Sequence, residues 1–126
     1  MSLIADAVHI NVITQYLPNQ SSPEDEQFAF AYTIHIANHS ERDVQLLDRH
    51  WIITDAHADI REVRGEGVIG EQPVIRPGTS FEYTSGAVLA TPSGSMAGSY
   101  GMVDQDGNTF TANIPEFTLN HPGALH

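Results

Sequence analysis

The sequence predicts an all-β protein, an antiparallel β-sandwich of seven to nine strands with an immunoglobulin-like or fibronectin type III-like arrangement. Apolar residues recur at every second position along most of the chain, and no window shows the 3.6-residue period of a helix. Turn-forming residues interrupt the alternation roughly every 10 residues. The length of 126 residues fits a single domain, residues 1–126, that can bury a core.

The first two predicted strands lie in the N-terminal third of the chain. Val8, Ile10 and Val12 alternate with polar residues, which is typical of a strand with one buried face. Residues 18–26 combine turn formers with an acidic run, and we expect a solvated loop there. In residues 28–37 every large apolar side chain falls on one face, so this long strand is expected in the middle of a sheet.

Further strands are predicted after the turn at residues 38–40; they cover residues 44–54, 60–63, a short stretch around Val74, and residues 80–90, 95–103 and 109–119. Trp51 is expected to be the central aromatic residue of the core. Alternation places His50 and Ile52 on the opposite face, where an exposed Ile52 would be covered by a partner, a loop or a second subunit. The sequence Asp-Gly at 106–107 predicts a tight hairpin turn, because this pair supplies the required positive φ angles.

Composition excludes several classes of function. The formal net charge is −11, the five basic residues are all arginines, and there is no cysteine. Disulfides, thiolate catalysis and zinc–cysteine sites are therefore excluded, and binding to nucleic acid or to an anionic membrane is disfavoured. The N-terminal residues have neither a basic region nor an apolar run, and no segment has the roughly 20 apolar residues of a membrane helix, so we expect a cytoplasmic protein.

A complete G-x-G-x-x-G motif occurs in Glu62-Val63-Arg64-Gly65-Glu66-Gly67-Val68-Ile69-Gly70-Glu71-Gln72-Pro73. A dinucleotide site would need a buried strand before this motif and a helix after it. Charges interrupt the preceding residues 59–64, and Pro73 and Pro77 prevent a helix of three turns. A tight turn or bulge between strands is therefore predicted.

The same stretch carries the candidate binding residues, which we call the arginine–glycine block: Arg61, Arg64, Gly65, Gly67, Gly70 and Arg76. Guanidinium groups together with free backbone amides suit a phosphate, a carboxylate or an acidic peptide. The alternative is that each arginine pairs locally with Glu62, Glu66 or Glu71.

No catalytic arrangement is recognisable in the sequence. The segment Thr91-Pro92-Ser93-Gly94-Ser95 does not match the Gly-x-Ser-x-Gly nucleophile elbow and is interpreted as a turn. We expect a protein without enzymatic activity, catalytic residues or a cofactor.

Three patterns superficially suggest metal ligands. Asp104, Asp106 and Asn108 begin like a calcium loop, but the glycine comes too early and the distal Glu is missing. The alternating Asp55, His57 and Asp59 would bind a metal weakly at most, and a solvated turn is favoured. His35 and His39 have a spacing that converges only on a helix. No metal site is predicted.

Several runs resemble a known family: QLLDRHWIITDA at 45–56, EVRGEGVIGEQP at 62–73, FEYTSG at 81–86 and TPSGSMAGSYGM at 91–102. In this order they resemble the ApaG family of small bacterial proteins over nearly the whole chain. The resemblance implies a fibronectin type III-like sandwich and a link to cobalt and magnesium handling and to the genomic neighbourhood of diadenosine tetraphosphate hydrolysis. It also implies a protein-interaction role, since similar domains occur in a eukaryotic F-box protein and in a protein that interacts with a DNA polymerase subunit. It brings no catalytic residues.

The leading expectation is thus a cytoplasmic module that binds another protein through a sheet edge or through the loops near residues 61–76. A homodimer is an open alternative. The second expectation is a sensor that binds a phosphorylated nucleotide, such as a dinucleoside polyphosphate, or a divalent metal ion.

Overall fold

A computed structural model describes residues 4–123, and these residues form an antiparallel β-sandwich without an α-helix. The strands are β1 (Val8–Tyr16), β2 (Phe28–Asn38), β3 (Val44–Asp55), β4 (Ile60–Glu66), β5 (Val74–Ile75), β6 (Ser80–Leu89), β7 (Ser93–Asp104) and β8 (Thr109–Asn120). Three short 3₁₀ turns cover Ile4–Ala7, Pro18–Gln20 and Pro23–Asp25, the last two within the expected loop. The predicted fold class is confirmed.

The strands divide into two sheets that face each other. The first sheet has the order β1-β2-β6, with the long β2 in the middle as predicted. The second has the order β4-β3-β7-β8, and the short β5 also pairs with β3. Within residues 4–123, β4 and β6 each end a sheet, so one side of the sandwich carries their free edges. We call it the β4–β6 side. On the opposite side, the β1–β8 side, β1 lies along β8.

Aromatic side chains fill the space between the sheets, and Trp51 lies at their centre as predicted. Its ring contacts Tyr32 of the first sheet and Phe117 of the second at centroid distances of 5.4 and 5.9 Å. The hydroxyl groups of Tyr83 and Tyr100 share a buried hydrogen bond of 2.5 Å, which joins β6 to β7 across the core. Because burial disfavours a phenolate, the pKa of Tyr83 rises to about 12. Burial likewise raises the pKa of Tyr100.

The two acidic turns that echoed metal sites bind their own backbone instead. Asp104 Oδ1 accepts hydrogen bonds from the amides of Asp106 and Asn108 at 2.9 and 3.0 Å, and Gly107 has a φ of 84°, so this segment is the predicted hairpin turn. Asp55 Oδ1 similarly accepts the amides of His57 and Asp59. The carboxylates serve the turns by satisfying backbone donors.

The expectation of an exposed Ile52 was wrong, because Ile52 is half-buried. The reason is that β3 is an interior strand, with neighbours on both sides. Glu62 of β4 and Ala97 of β7 lie directly opposite Ile52 in the two ladders. Side chains on paired strands lie close enough to cover one another without a partner protein.

Candidate functional site

The strand β4 carries Arg61, Arg64 and Gly65 of the arginine–glycine block, and it directs the two arginine side chains to opposite faces of the sheet. Arg61 lies opposite Ile53, on the inner face of the sheet. Arg64 lies opposite His50, on the outer face. Because side chains alternate along a strand, two residues that are three positions apart direct their side chains to opposite faces of the sheet. The two guanidinium groups do not converge on one ligand.

On the outer face, Glu62 lies between two groups that can donate to it. Its Oε2 is 2.9 Å from His50 Nε2 and 3.5 Å from Arg64 Nη2. The hydrogen bond with His50 is the largest cause that lowers the pKa of Glu62, and the charge of Arg64 acts in the same direction. Arg64 therefore has the local acidic partner that the alternative interpretation expected.

Arg49, which lies outside the arginine–glycine block as the sequence defined it, is built into this region. Its Nη1 donates hydrogen bonds to the carbonyl oxygens of Glu66 and Gly67 at 3.0 and 2.9 Å. The guanidinium lies flat against Gly65, where an added Cβ would be 2.8 Å from Nη2. A side chain at position 65 would therefore displace the guanidinium of Arg49. Residues 16 positions apart in the sequence meet here because of strand register, a signal that spacing alone does not carry.

A cleft of about 340 Å³ surrounds this contact, and it is lined by Asp48, Arg49, His50, Arg64, Gly65 and Glu66. Two guanidinium groups and an imidazole thus share one concave surface. Two carboxylates line the same surface, so the formal charges of its acids and arginines balance. A small anion in this cleft would compete with Glu62 for Arg64, and with the carbonyl oxygens of Glu66 and Gly67 for Arg49 Nη1.

The glycine-rich segment after β4 is a turn, as predicted. The amide of Gly67 donates to the carbonyl of Leu47 at 2.8 Å, so it already has an acceptor within the chain. Its φ is 63°, and an added Cβ would be 2.3 Å from the carbonyl oxygen of Glu71. Gly70 also has a positive φ, of 80°. Both glycines are needed for backbone geometry.

Arg76 lies beyond this turn, after β5. Its carbonyl accepts hydrogen bonds from the amide and the hydroxyl of Thr79, and its side chain is exposed. The structure therefore brings Arg64 and Gly65 together, places Gly67 and Gly70 in the adjoining turn, and leaves Arg61 and Arg76 elsewhere. Whether any of these residues binds an anion stays a prediction.

A second cleft lies on the β4–β6 side, where residues from both sheets meet. Its lining residues are Ile53, Asp55, Asp59, Ile60, Arg61, Val88, Leu89 and Ala90. Ile53 and Leu89 belong to the buried core, whereas Ile60 and Val88 are exposed. The core is thus reachable from the surface at this place, beside two unpaired strand edges. This combination was not visible in the sequence.

In the described part of the chain, no group of three or more metal-ligating side chains is placed to hold a metal ion. No helix among residues 4–123 is long and apolar enough to cross a membrane.

Comparison with known proteins connects these features to a family. Residues 18–104 match the model of the ApaG domain. The chain is 57% identical to Protein ApaG of Pseudomonas paraeruginosa over the full length of both. A crystal structure of the putative ApaA protein from Bordetella pertussis is 46% identical, covers 91% of this chain and 94% of its own, and superposes with a TM-score of 0.89. A structural genomics target solved by X-ray diffraction is 50% identical, covers 98% and 94%, and has a TM-score of 0.93.

Proposed function

Since the chain belongs to the ApaG domain family, as its match to the family model and its full-length relatives show, we propose that it is a non-enzymatic cytoplasmic module that binds a partner protein through the β4–β6 side. The observation that carries the proposal is the free edge of β4 beside a cleft that reaches the core. Any role in cobalt or magnesium handling would then be indirect, through the partner.

The ladder between β3 and β4 determines which main-chain groups are free. Hydrogen bonds join Gly67 to Leu47 and Asp55 to Asp59, and the register between them places the odd-numbered residues of β4 in the hydrogen-bonded pairs. In an antiparallel pair the residues between those pairs direct their main chain away from the neighbouring strand. The N–H and C=O groups of Glu62 and Arg64 therefore point off the edge, ready to pair with an added strand.

The cleft supplies what an edge alone lacks, which is specificity. Main-chain hydrogen bonds accept almost any extended peptide, whereas a neighbouring concave surface selects side chains. Ile53 and Leu89 form an apolar floor, and Asp55, Asp59 and Arg61 line the same cleft with charge. The charged side chains of β4 also protect its edge from indiscriminate pairing, as in other edge strands.

The test compares partner capture by two proline variants. Arg64→Pro removes an off-edge amide of β4 without cutting the ladder to β3, and Arg64→Ala controls for the lost charge. Thr14→Pro is the matched control, because the register of β1 directs the amide of Thr14 off the opposite edge of the sandwich. We expect the wild type, Thr14→Pro and Arg64→Ala to recover the same stoichiometric partner from lysate of the source cells, and Arg64→Pro to lose it.

Recovery of that partner by Arg64→Pro at the wild-type level would show that the β4 edge is not used. Failure of the wild type to recover any stoichiometric partner would contradict the proposal as a whole. Circular dichroism and denaturant unfolding of each variant confirm that a loss of binding is not a loss of folding.

A second candidate function is binding of a phosphorylated nucleotide, because Arg49, His50 and Arg64 line one cleft around Gly65. Titration with pyrophosphate and with a dinucleoside polyphosphate, followed by backbone amide shifts, tests it. We propose that the signals of Gly65, Gly67 and Gly70 would move in the wild type and not in Arg64→Ala. Unmoved signals in the wild type would rule out this function, and thermal shift with Co²⁺ and Mg²⁺ tests the corresponding sensing of metal ions.

A further inference from the structure

Ile69 has a backbone conformation that its side chain disfavours. Its φ is 45° and that of Gly70 is 80°, so both central residues of the turn Val68–Glu71 lie in the left-handed region. Val68 and Glu71 exchange both main-chain hydrogen bonds, at 2.8 and 2.9 Å, as in a two-residue hairpin turn. Such turns of type I′ favour Asn or Asp at the first central position, and a β-branched residue there is a steric outlier.

The turn is firmly attached to the sandwich, so this conformation is imposed. Val68 is buried, and the amide of Gly67 donates to the carbonyl of Leu47. Gln72 Nε2 donates to the same carbonyl at 2.8 Å, and Gln45 Nε2 donates to the carbonyl of Gln72 at 3.1 Å. Together these contacts hold both ends of the turn.

Burial within the chain does not compensate for the strain, because Ile69 is 58% exposed. An Asn at the same place would adopt the left-handed conformation readily and would be well solvated. The strain therefore brings no benefit to the free molecule. Strained backbone of this kind is characteristic of residues that act in binding.

We propose that Ile69 is an anchor residue, which inserts into a concave apolar pocket of the partner protein. The inference rests on the proposed function, since β4 leads directly into this turn and the two would contact the same partner. The pocket must fit a branched aliphatic side chain. Its rim is neutral or basic, because the exposed Glu66 and Glu71 flank the turn on a chain with a net charge of −11.

The first test measures whether the free protein carries the strain. Ile69→Asn is compared with Ile13→Asn, because Ile13 is an even more exposed isoleucine, at 72%, in the extended strand β1. We expect the unfolding equilibrium constant to fall by about fivefold for Ile69→Asn, as relief of a left-handed isoleucine implies, and not for Ile13→Asn. An unchanged or higher unfolding constant for Ile69→Asn would overturn the inference.

The second test asks what Ile69 contacts. A photo-reactive amino acid is placed at position 69, at position 61 in β4, or at position 13 as a control, and the cross-linked peptides are identified by mass spectrometry. We expect position 69 to cross-link to apolar residues of one partner protein. Excess wild-type chain should compete with this product, and excess Ile69→Asn should not.

A product at position 61 without one at position 69 would overturn the inference and leave the proposed function standing. Products at neither position would contradict both. Cross-linking of position 69 to a second copy of this chain, or equally well from position 13, would also overturn the inference.

Discussion

The β1–β8 side and the β4–β6 side of the sandwich differ in how completely they separate the core from water. On the β1–β8 side, β1 lies along β8, and the β8 residue Leu119 is fully buried. On the β4–β6 side, a cleft between the sheets reaches Ile53 and Leu89 beside two free strand edges. One side therefore seals the fold, whereas the other combines apolar surface with unpaired main chain, the two things that recognition of an extended partner segment needs.

The largest expected effect compares one leucine from each side. Leu119→Ala should destabilise the protein by about 4 kcal/mol, because it leaves a closed cavity. Leu89→Ala should cost about 2–3 kcal/mol, because the cleft already admits water beside the removed atoms. Urea unfolding measures both. Equal losses would show that the cleft floor is packed as tightly as the β1–β8 side.

A pair of glycines tests the attachment of the turn after β4. Gly67→Ala combines a positive φ with an added Cβ 2.3 Å from a carbonyl oxygen, so we expect a loss of roughly 2–4 kcal/mol. Gly107→Ala in the β7–β8 hairpin has a similar φ and open space, so strain alone should cost about 1–2 kcal/mol. Thermal unfolding compares the two. Similar losses would mean that the turn rearranges freely.

The Tyr83–Tyr100 hydrogen bond tests how β6 is held to the second sheet. Either Tyr→Phe change leaves one buried hydroxyl without its partner and should cost about 1–2 kcal/mol. The double variant should lower the free energy of unfolding by less than the sum of the two single losses, because neither hydroxyl is then left unpaired. Additive losses in denaturant unfolding would show that the two hydroxyls act independently.

The same pair predicts the alkaline limit of stability. The pKa values of both tyrosines are raised in the folded state, that of Tyr83 to about 12, so the unfolded chain loses these protons first as pH rises. Their contribution is complete below about pH 10 and declines between about pH 10 and 12. Denaturant midpoints measured across this range should fall for the wild type and fall less for the double Phe variant. A wild-type midpoint that stays constant up to pH 12 would contradict this assignment.

The smallest expected effect concerns the outer face of β4. The pKa of Glu62 is lowered in the folded state, so its small contribution is present above the unfolded pKa and is lost as pH falls through the folded one. Glu62→Gln should therefore lower the stability slightly at neutral and alkaline pH and flatten the acid limb of the stability curve, so that the denaturant midpoints of variant and wild type converge at low pH. A large loss at neutral pH would mean that the His50–Glu62–Arg64 group has a structural role.

Much of the fold was predictable because strands carry their own signal. Residues 28–37 alternate so regularly that their face and central position followed directly, and Asp106-Gly107 marked the hairpin. The glycine motif was correctly interpreted as a turn because Pro73 and Pro77 exclude a helix. Each of these features depends only on residues that are neighbours in the sequence.

The site was less predictable because it depends on contacts between distant residues. Arg61 and Arg64 are close in sequence, and strand alternation places them on opposite faces. Arg49 reaches Gly65 only through the register of β3 and β4. The strain at Ile69 depends on a hydrogen bond that Gln45 donates and on those that the carbonyl of Leu47 accepts. A single sequence does not encode register in any short motif.

Amide hydrogen exchange, measured for the protein alone and with the captured partner, shows whether the partner binds the β4–β6 side. With the partner bound, we expect slower exchange at the off-edge amides of Glu62 and Arg64 and at Ile69, and no change at the β1 edge around Thr14. Protection confined to the β1–β8 side, or the same exchange everywhere with and without partner, would contradict binding at the β4–β6 side.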